Sequence, residues 1–138
     1  ARLDGRAGPA EMARSVLEGV AFSVRLAFEA LQQSAGLRPQ LANIGGGGAR
    51  SDAWCQIKAD ALGFGLRRAR VADAAAMGAA ILAGVGSGAM PSLRQAIGSL
   101  VGFDATFEPD PGRRAYYDDK FGKYRELYAA LRGFNAGY

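Results

Sequence analysis

Residues 41–52 have the sequence LANIGGGGARSD, and this stretch decides the fold. The apolar run Leu41–Ile44 predicts a short buried strand, and apolar residues three and four apart predict a helix over Asp52–Leu62. Glycine lets the backbone between them approach a ligand, and a helix start offers unpaired N–H groups and a positive dipole end. Ser51 or Asp52 is a suitable N-cap. The pattern favours a phosphate-binding turn, and its alternative is a linker or tight turn without a ligand.

Composition restricts the chemistry open to this chain. The 138 residues suffice for one domain, and no apolar run approaches the ~20 residues of a membrane helix. The sequence has no histidine, which excludes Ser-His-Asp and Cys-His nucleophiles and imidazole metal sites. The lone cysteine, Cys55, is predicted to be a small core residue and fits a reducing, cytoplasmic environment. We therefore expect no membrane partner, and chemistry based on carboxylates, hydroxyls, arginines or backbone groups.

The basic residues fall in two small clusters. Arg67, Arg68 and Arg70 form one cluster, Arg113 and Arg114 form the other, and the formal net charge is +4. A nucleic-acid surface would need a longer basic stripe with aromatic residues between the charges. The sequence therefore predicts a solvated basic face and no nucleic-acid partner.

The rest of the chain alternates between helices and strands. Gly36 and Gly63 are stop signals, Asp73 is a candidate cap, and Asp110 precedes a proline at a helix start. Further helices are predicted over Pro9–Ala35, 74–85, 92–100 and from Pro111 to about Arg132, a second strand over Leu66–Val71, and an extended segment over Phe103–Pro111. The three arginines of the second strand suggest that it has one exposed face or an edge position. This order predicts an α/β fold with parallel strands packed by helices.

The first helix carries an apolar stripe that predicts its buried face. Residues of the stripe recur at helical spacing: Met12, Val16, Val20, Val24, Ala27 and Leu31. The last helix has a similar stripe, for which docking on the body of the protein is the ordinary interpretation. Its members are Phe121, Tyr124, Tyr128 and Leu131.

Taken in order, four motifs resemble those of the FGGY carbohydrate kinases. They are EMARSVLEGVAF at residues 11–22, GGGARS at 46–51 with the helix that follows, MGAAILA at 77–83, and a tail with Pro111, Tyr117, Tyr124, Tyr128 and Leu131. The resemblance runs nearly end to end, and the form of the glycine loop is most like that of the xylulokinases. It implies a ribonuclease H-like, actin-like ATPase C-terminal domain, with residues 1–138 as its C-terminal part and residues 92–138 as a helical tail.

The resemblance also implies a function and a site. Such kinases move the γ-phosphoryl group of magnesium-ATP onto a sugar or polyol hydroxyl. By position, Gly47 and Gly48 would lie against the nucleotide and Gly46 would support the turn. Asp52 stands where relatives often carry an asparagine that contacts adenine; aspartate keeps the acceptor but lacks the amide donor.

Several parts of the reaction are expected outside this chain. In the family, the catalytic base, the carboxylates that organise magnesium and most sugar contacts belong to the N-terminal domain, so no catalytic or metal residue is assigned here. We expect ATP or ADP and the sugar as partners, no activity from the chain alone, and an exposed sheet edge that promotes self-association, for example as a homodimer. The alternatives are a kinase for ribulose, gluconate or glycerol, a non-catalytic nucleotide-binding module, and a structural domain whose glycines form only a turn.

Overall fold

The computed structural model describes residues 8–135 and places five helices and three strands in that range. They are α1 (Pro9–Ala35), β1 (Leu41–Ile44), α2 (Asp52–Leu62), β2 (Gly65–Ala69), α3 (Ala74–Gly86), α4 (Leu93–Leu100), β3 (Phe103–Phe107) and α5 (Arg114–Asn135). Two 3₁₀ turns, Gly47–Arg50 and Pro111–Arg113, precede α2 and α5. The predicted order of elements is confirmed.

Local capping interactions set most of the boundaries. At the start of four helices or turns, a side-chain oxygen accepts a backbone N–H two or three residues later at 2.8–3.3 Å; the four residues are Ser51, Asp73, Ser92 and Asp110. Of the two predicted caps for α2, Ser51 is the one used. Gly36 and Gly63 end α1 and α2 in the left-handed conformation, as predicted.

The sheet has the order β1-β2-β3 and is mixed. Strands β1 and β2 are parallel, as predicted, and pair from Leu41 with Gly65 to Ile44 with Arg68. Strand β3 runs antiparallel to β2, because α3 and α4 return the chain to the end of β2, where Ala69 pairs with Phe103. The suggestion that β2 is an edge strand is therefore wrong, since β2 is the central strand.

Helix α2 separates two hydrophobic clusters. On the sheet side, its residues pack with the strands and the glycine loop in a cluster of Ala49, Cys55, Ala59, Leu62, Phe64, Leu66 and Phe107. On the other side, they pack with α1 and α5 in a cluster of Ala21, Phe22, Ile57, Ala61, Tyr117 and Phe121. Cys55 is fully buried, as predicted, and burial raises the pKa of its thiol. The predicted stripe on α5 docks through Phe121, whereas Leu131 is exposed and the side chain of Tyr128 lies outside the described residues.

The predicted buried face of α1 is wrong for most of its members. Met12, Val16, Val20 and Leu31 are 48–65% exposed, although Val24 packs against the sheet-side cluster. The helix turns a different face inward, because Ala21 and Phe22 meet α2 and α5. Hydrophobic spacing defines a stripe, but the neighbours available in the fold decide whether that stripe is covered.

In the described residues the sheet has two edge strands, β1 and β3, and β1 begins with an exposed apolar residue. In the part of the chain that the structure describes, β2 is the one strand paired with β1, and Leu41 at its start is 44% exposed. An open strand edge beside exposed apolar side chains is a template for association. The structure thus has the features that we expected to promote self-association.

We predict that the chain forms dimers or larger species, and that introducing a charged residue into the α1 stripe makes them dissociate. Val16→Lys should shift the molecular mass measured by light scattering toward that of the monomer, because a lysine replaces a 65% exposed valine in the stripe. Gln33→Lys, an exposed position of α1 outside the stripe, is the control of equal charge. A monomeric parent at high concentration would contradict this prediction, as would an equal effect of the two variants.

Asp60 connects α2 to the segment that begins α5. Its side chain is fully buried and accepts hydrogen bonds from Gln56 Nε2 at 2.8 Å and from the Asp110 N–H at 2.9 Å. Arg113 Nη1 lies 3.4 Å from its second oxygen. This carboxylate therefore holds the 3₁₀ turn before α5 against the body of the domain.

We predict that Asp60→Ala lowers the free energy of unfolding by about 2–3 kcal/mol, because donors near the core lose their acceptor. Urea unfolding followed by circular dichroism measures the change. Asp119→Ala removes a carboxylate from a surface pair with Lys123 and should leave the urea midpoint close to that of the parent. Equal loss in the two variants would show that Asp60 has no special role.

Candidate functional site

The glycine loop joins the end of β1 to the start of α2. Gly46 has a φ of 83°, a value that glycine tolerates well, and its N–H donates to the Ala72 carbonyl at 2.9 Å. The 3₁₀ turn Gly47–Arg50 follows, and Ser51 then caps α2. The predicted strand, glycine turn and helix are therefore present in that order, with one turn of 3₁₀ helix inserted.

Gly47 and Gly48 present an accessible backbone. Both residues are exposed, and as the first residues of the 3₁₀ turn they have N–H groups without an intrahelical acceptor. A Cβ atom at Gly47 would meet nothing within 4 Å, whereas one at Gly48 would lie 3.3 Å from Trp54 Nε1. Gly48 is thus constrained by packing, and Gly47 is open to an approaching group.

Arg68 ties the loop, α2 and β3 together. Its Nη1 donates to Asp52 Oδ1 at 2.6 Å and to the Ala49 carbonyl at 3.1 Å, while Nε donates to Asp104 Oδ1 at 2.7 Å. The hydrogen bonds that the guanidinium donates to Asp104 and Asp52 raise its pKa, which keeps it charged. The prediction of a solvated basic face is wrong for Arg68, since the carboxylates of Asp52 and Asp104 pair with it.

A cavity of about 430 Å³ opens beside the loop, at the carboxyl end of β1 and β2. Its wall consists of Gly46, Ala49, Arg50, Asp52, Arg68, Ala69, Arg70, Ala72 and Asp104. Two of the four predicted site residues, Gly46 and Asp52, thus line one cavity, while Gly47 and Gly48 lie outside its wall in the same loop. Its volume falls within the range of small-molecule sites.

Sequence reasoning missed Arg68 and Asp104 as parts of this site. Asp104 comes from β3, 52 positions after Asp52, and only the antiparallel pairing of β3 with β2 brings it beside Arg68. A usable signal existed in Phe103–Phe107, where a single acidic residue lies in an otherwise uncharged strand. Strand pairing, however, cannot be read from that segment alone.

A larger cavity of about 540 Å³ lies at the opposite end of the parallel strands, near Gln40 and Phe64. Ligands of α/β sheets bind outside the carboxyl ends of the strands, and the glycine loop lies at that end. We therefore assign the candidate site to the smaller cavity beside the loop, which combines the glycine backbone with converging charged groups.

The described residues give no sign of a metal centre or a membrane helix. Over residues 8–135, the structure brings no three Cys, Asp or Glu side chains together in a way that would hold a metal ion. Asp52 and Asp104 each pair with Arg68 instead. Within the same residues, each helix is too short or too polar to span a bilayer.

Comparison with known proteins identifies the family. A sequence model of the FGGY family of carbohydrate kinases, C-terminal domain, matches residues 3–87. The xylulose kinase of Staphylococcus epidermidis is 27% identical over 97% of this chain and 27% of its own length. The glycerol kinase of Citrifermentans bemidjiense is 36% identical over 75% of this chain and 21% of its own length.

Solved structures agree with the sequence comparison. The crystal structure of a xylulose kinase from Rhodospirillum rubrum is 27% identical and superposes with a TM-score of 0.77, covering 97% of this chain and 27% of that chain. The expected ribonuclease H-like, actin-like ATPase fold is thereby confirmed, and the chain spans about a quarter of the length of these relatives. Since the family model covers more than half of the 138 residues, this chain belongs to the FGGY family of carbohydrate kinases.

Proposed function

We propose that this chain is the nucleotide-binding, C-terminal portion of an ATP-dependent sugar kinase. The observation that carries the proposal is the glycine loop, whose exposed backbone N–H groups precede a helix and adjoin a cavity at the carboxyl end of two parallel strands. Residues 1–138 would then be the C-terminal part of the nucleotide domain and residues 92–138 its tail. That tail includes β3 as well as α4 and α5.

The loop residues are suited to hold a nucleotide. The backbone N–H groups of Gly47 and Gly48 would donate to phosphate oxygens, helped by the positive end of the α2 dipole. Gly46 fixes the turn through its positive φ, and a side chain at Gly47 would project into the space that a phosphate needs. Asp52, at the cavity wall, would accept a hydrogen bond from the adenine amino group.

Magnesium-ATP would supply the transferable phosphoryl group and part of the charge neutralisation. The task of this chain's residues would be to bind and orient the nucleotide, because phosphoryl transfer depends on positioning and on surrounding the transferring charge. We assign no catalytic base and no metal ligand to this chain, and we place most of the magnesium contacts elsewhere in the active enzyme.

For the acceptor, we propose a pentulose such as D-xylulose. The xylulose kinases of Staphylococcus epidermidis and Rhodospirillum rubrum match this chain over 97% of its length, whereas the glycerol kinase of Citrifermentans bemidjiense matches 75%. Another sugar or a polyol is the alternative, because sugar contacts do not belong to the motifs in this chain. A second alternative is a nucleotide-binding module that acts without catalysis.

We predict that magnesium-ADP shifts the amide NMR signals of Gly46, Gly47 and Gly48, with a Kd at or below the millimolar range. Gly47→Val should abolish these shifts, because the added side chain blocks the exposed backbone without crowding a neighbour. Gly48→Val should have the same effect, although it also presses on Trp54.

The control for this titration is Gly98→Val, which places the same side chain in α4 with open space around its Cβ. That variant should bind as the parent does. If Gly47→Val and Gly48→Val both remain folded and bind ADP normally, the loop assignment is wrong. If the parent itself shows no shifts at several millimolar ADP, the loop is only a turn.

We predict that the chain alone does not phosphorylate D-xylulose when supplied with magnesium-ATP. The reaction needs a base beside the sugar hydroxyl, and we assign none to this chain. An assay that couples ADP release to NADH oxidation measures the rate. Turnover above the uncatalysed background would overturn the view that the acceptor half of the site lies elsewhere.

A further inference from the structure

Strand β3 carries a β-bulge at Asp104. Arg68 of β2 pairs with Ala105, and the next residue, Ala69, pairs with Phe103, so Asp104 is the extra residue between the two pairs. A bulge redirects a side chain out of the regular alternation of a strand, and bulges are over-represented next to active sites. The redirected carboxylate reaches the guanidinium of Arg68, where Oδ1 accepts from Nε at 2.7 Å.

Arg68 links Asp104 to the glycine loop. Its Nη1 donates to the Ala49 carbonyl at 3.1 Å and to Asp52 Oδ1 at 2.6 Å, so the two hydrogens of this nitrogen hold the loop and the start of α2. The side chain of Arg68 is 19% exposed, which strengthens these contacts relative to contacts in water. Ala49 lies in the same 3₁₀ turn as the exposed glycines, and holding its carbonyl therefore holds the turn that carries their N–H groups.

We propose that Arg68 and Asp104 are a pair of positioning residues, which keeps the glycine loop in the conformation that receives phosphate groups. The inference rests on the proposed function, since it takes the loop to bind a nucleotide. It gives the C-terminal tail a part in nucleotide affinity, because Asp104 lies beyond residues 3–87, the range that the family model matches. Both residues act on the ligand through the Ala49 carbonyl and the turn that follows Gly46.

The charge of Asp104 separates positioning from direct attraction. Asp104 is an anion at the wall of the cavity, so by charge alone its removal would favour binding of a phosphate. If Asp104 orients Arg68, its removal weakens phosphate binding, because Arg68 loses the contact that directs Nη1 toward the Ala49 carbonyl. The two effects have opposite signs, and one measurement distinguishes them.

The test is an NMR titration of the 138-residue chain with magnesium pyrophosphate and with magnesium-ADP. Pyrophosphate has no base, so its Kd reports on the phosphate-binding loop. Asp104→Ala should raise the Kd of both ligands roughly fivefold. Arg68→Lys should have a similar effect, because lysine keeps the charge but lacks the planar fork that reaches Asp104, Asp52 and Ala49 together. The double variant should bind no more weakly than the weaker single variant, because the two residues act as one unit.

Matched controls guard against loss of structure. Asp119→Ala removes a carboxylate from a surface pair with Lys123, and Arg67→Lys changes the neighbouring arginine, whose Nε donates to Asn43. Both controls should bind the two ligands as the parent does. Asp104→Asn keeps a neutral acceptor for Nε and should give Kd values between those of the parent and Asp104→Ala. Urea unfolding followed by circular dichroism shows which variants are folded under the conditions of the titration.

The outcomes separate this inference from the proposed function. If folded Asp104→Ala or Asp104→Asn binds pyrophosphate as tightly as the parent or more tightly, the inference is overturned and the proposed function stands. Equal weakening in Asp119→Ala or Arg67→Lys would also overturn it, because the effect would not depend on the pair. Weaker binding of ADP alone would show that the pair does not act through the phosphate loop. If the parent binds neither ligand, the proposed function fails and the inference fails with it.

Discussion

The burial of α2 on two sides is the constraint on which the rest of the structure depends. Cys55, Ala59 and Leu62 face the sheet, and Ile57 and Ala61 face α1 and α5, so the helix joins both hydrophobic clusters. Small side chains at Ala59 and Ala61, both fully buried, let neighbouring elements approach closely. Because α2 begins one residue after the glycine loop, the packing that holds the helix also holds the candidate site.

At both ends of α2, hydrogen bonds between charged residues add to the hydrophobic packing that holds the helix. Near its start, Arg68 joins Asp52 to Asp104 and the loop carbonyl of Ala49. Near its end, Asp60 receives the N–H of Asp110 and the guanidinium of Arg113. The first set of contacts fixes the loop against the sheet, and the second fixes the tail against the helix. A site built on exposed glycines gains its rigidity from such neighbours, since the loop itself buries little more than Ala49.

Sequence predicted most of the secondary structure because its signals there are local. Caps such as Ser51 and Asp73 act on N–H groups three residues away, and Gly63 ends a helix through its own φ. Of the four residues predicted to bind the nucleotide, Gly46 and Asp52 line one cavity, and their role in binding stays a prediction. The prediction that the α1 stripe forms the buried face was wrong. Spacing shows that Val16 and Val20 share a face of the helix, but it does not show which neighbour would cover that face.

By itself, the sequence determined the order of elements, the glycine turn and the family resemblance, all of which depend on residues close in the chain or on motif order. Only the tertiary structure decided the antiparallel entry of β3, the exposure of the α1 stripe and the pairing of Arg68 with Asp52 and Asp104. The Arg68 ion pairs and the β2–β3 pairing join positions from 16 residues apart (Asp52 and Arg68) to 41 residues apart (Leu66 and Phe107), and such pairings follow from how strands and helices pack in space. The local sequence does not indicate which pairing forms, because the same arginine is compatible with a solvated face and with ion pairs to two distant carboxylates.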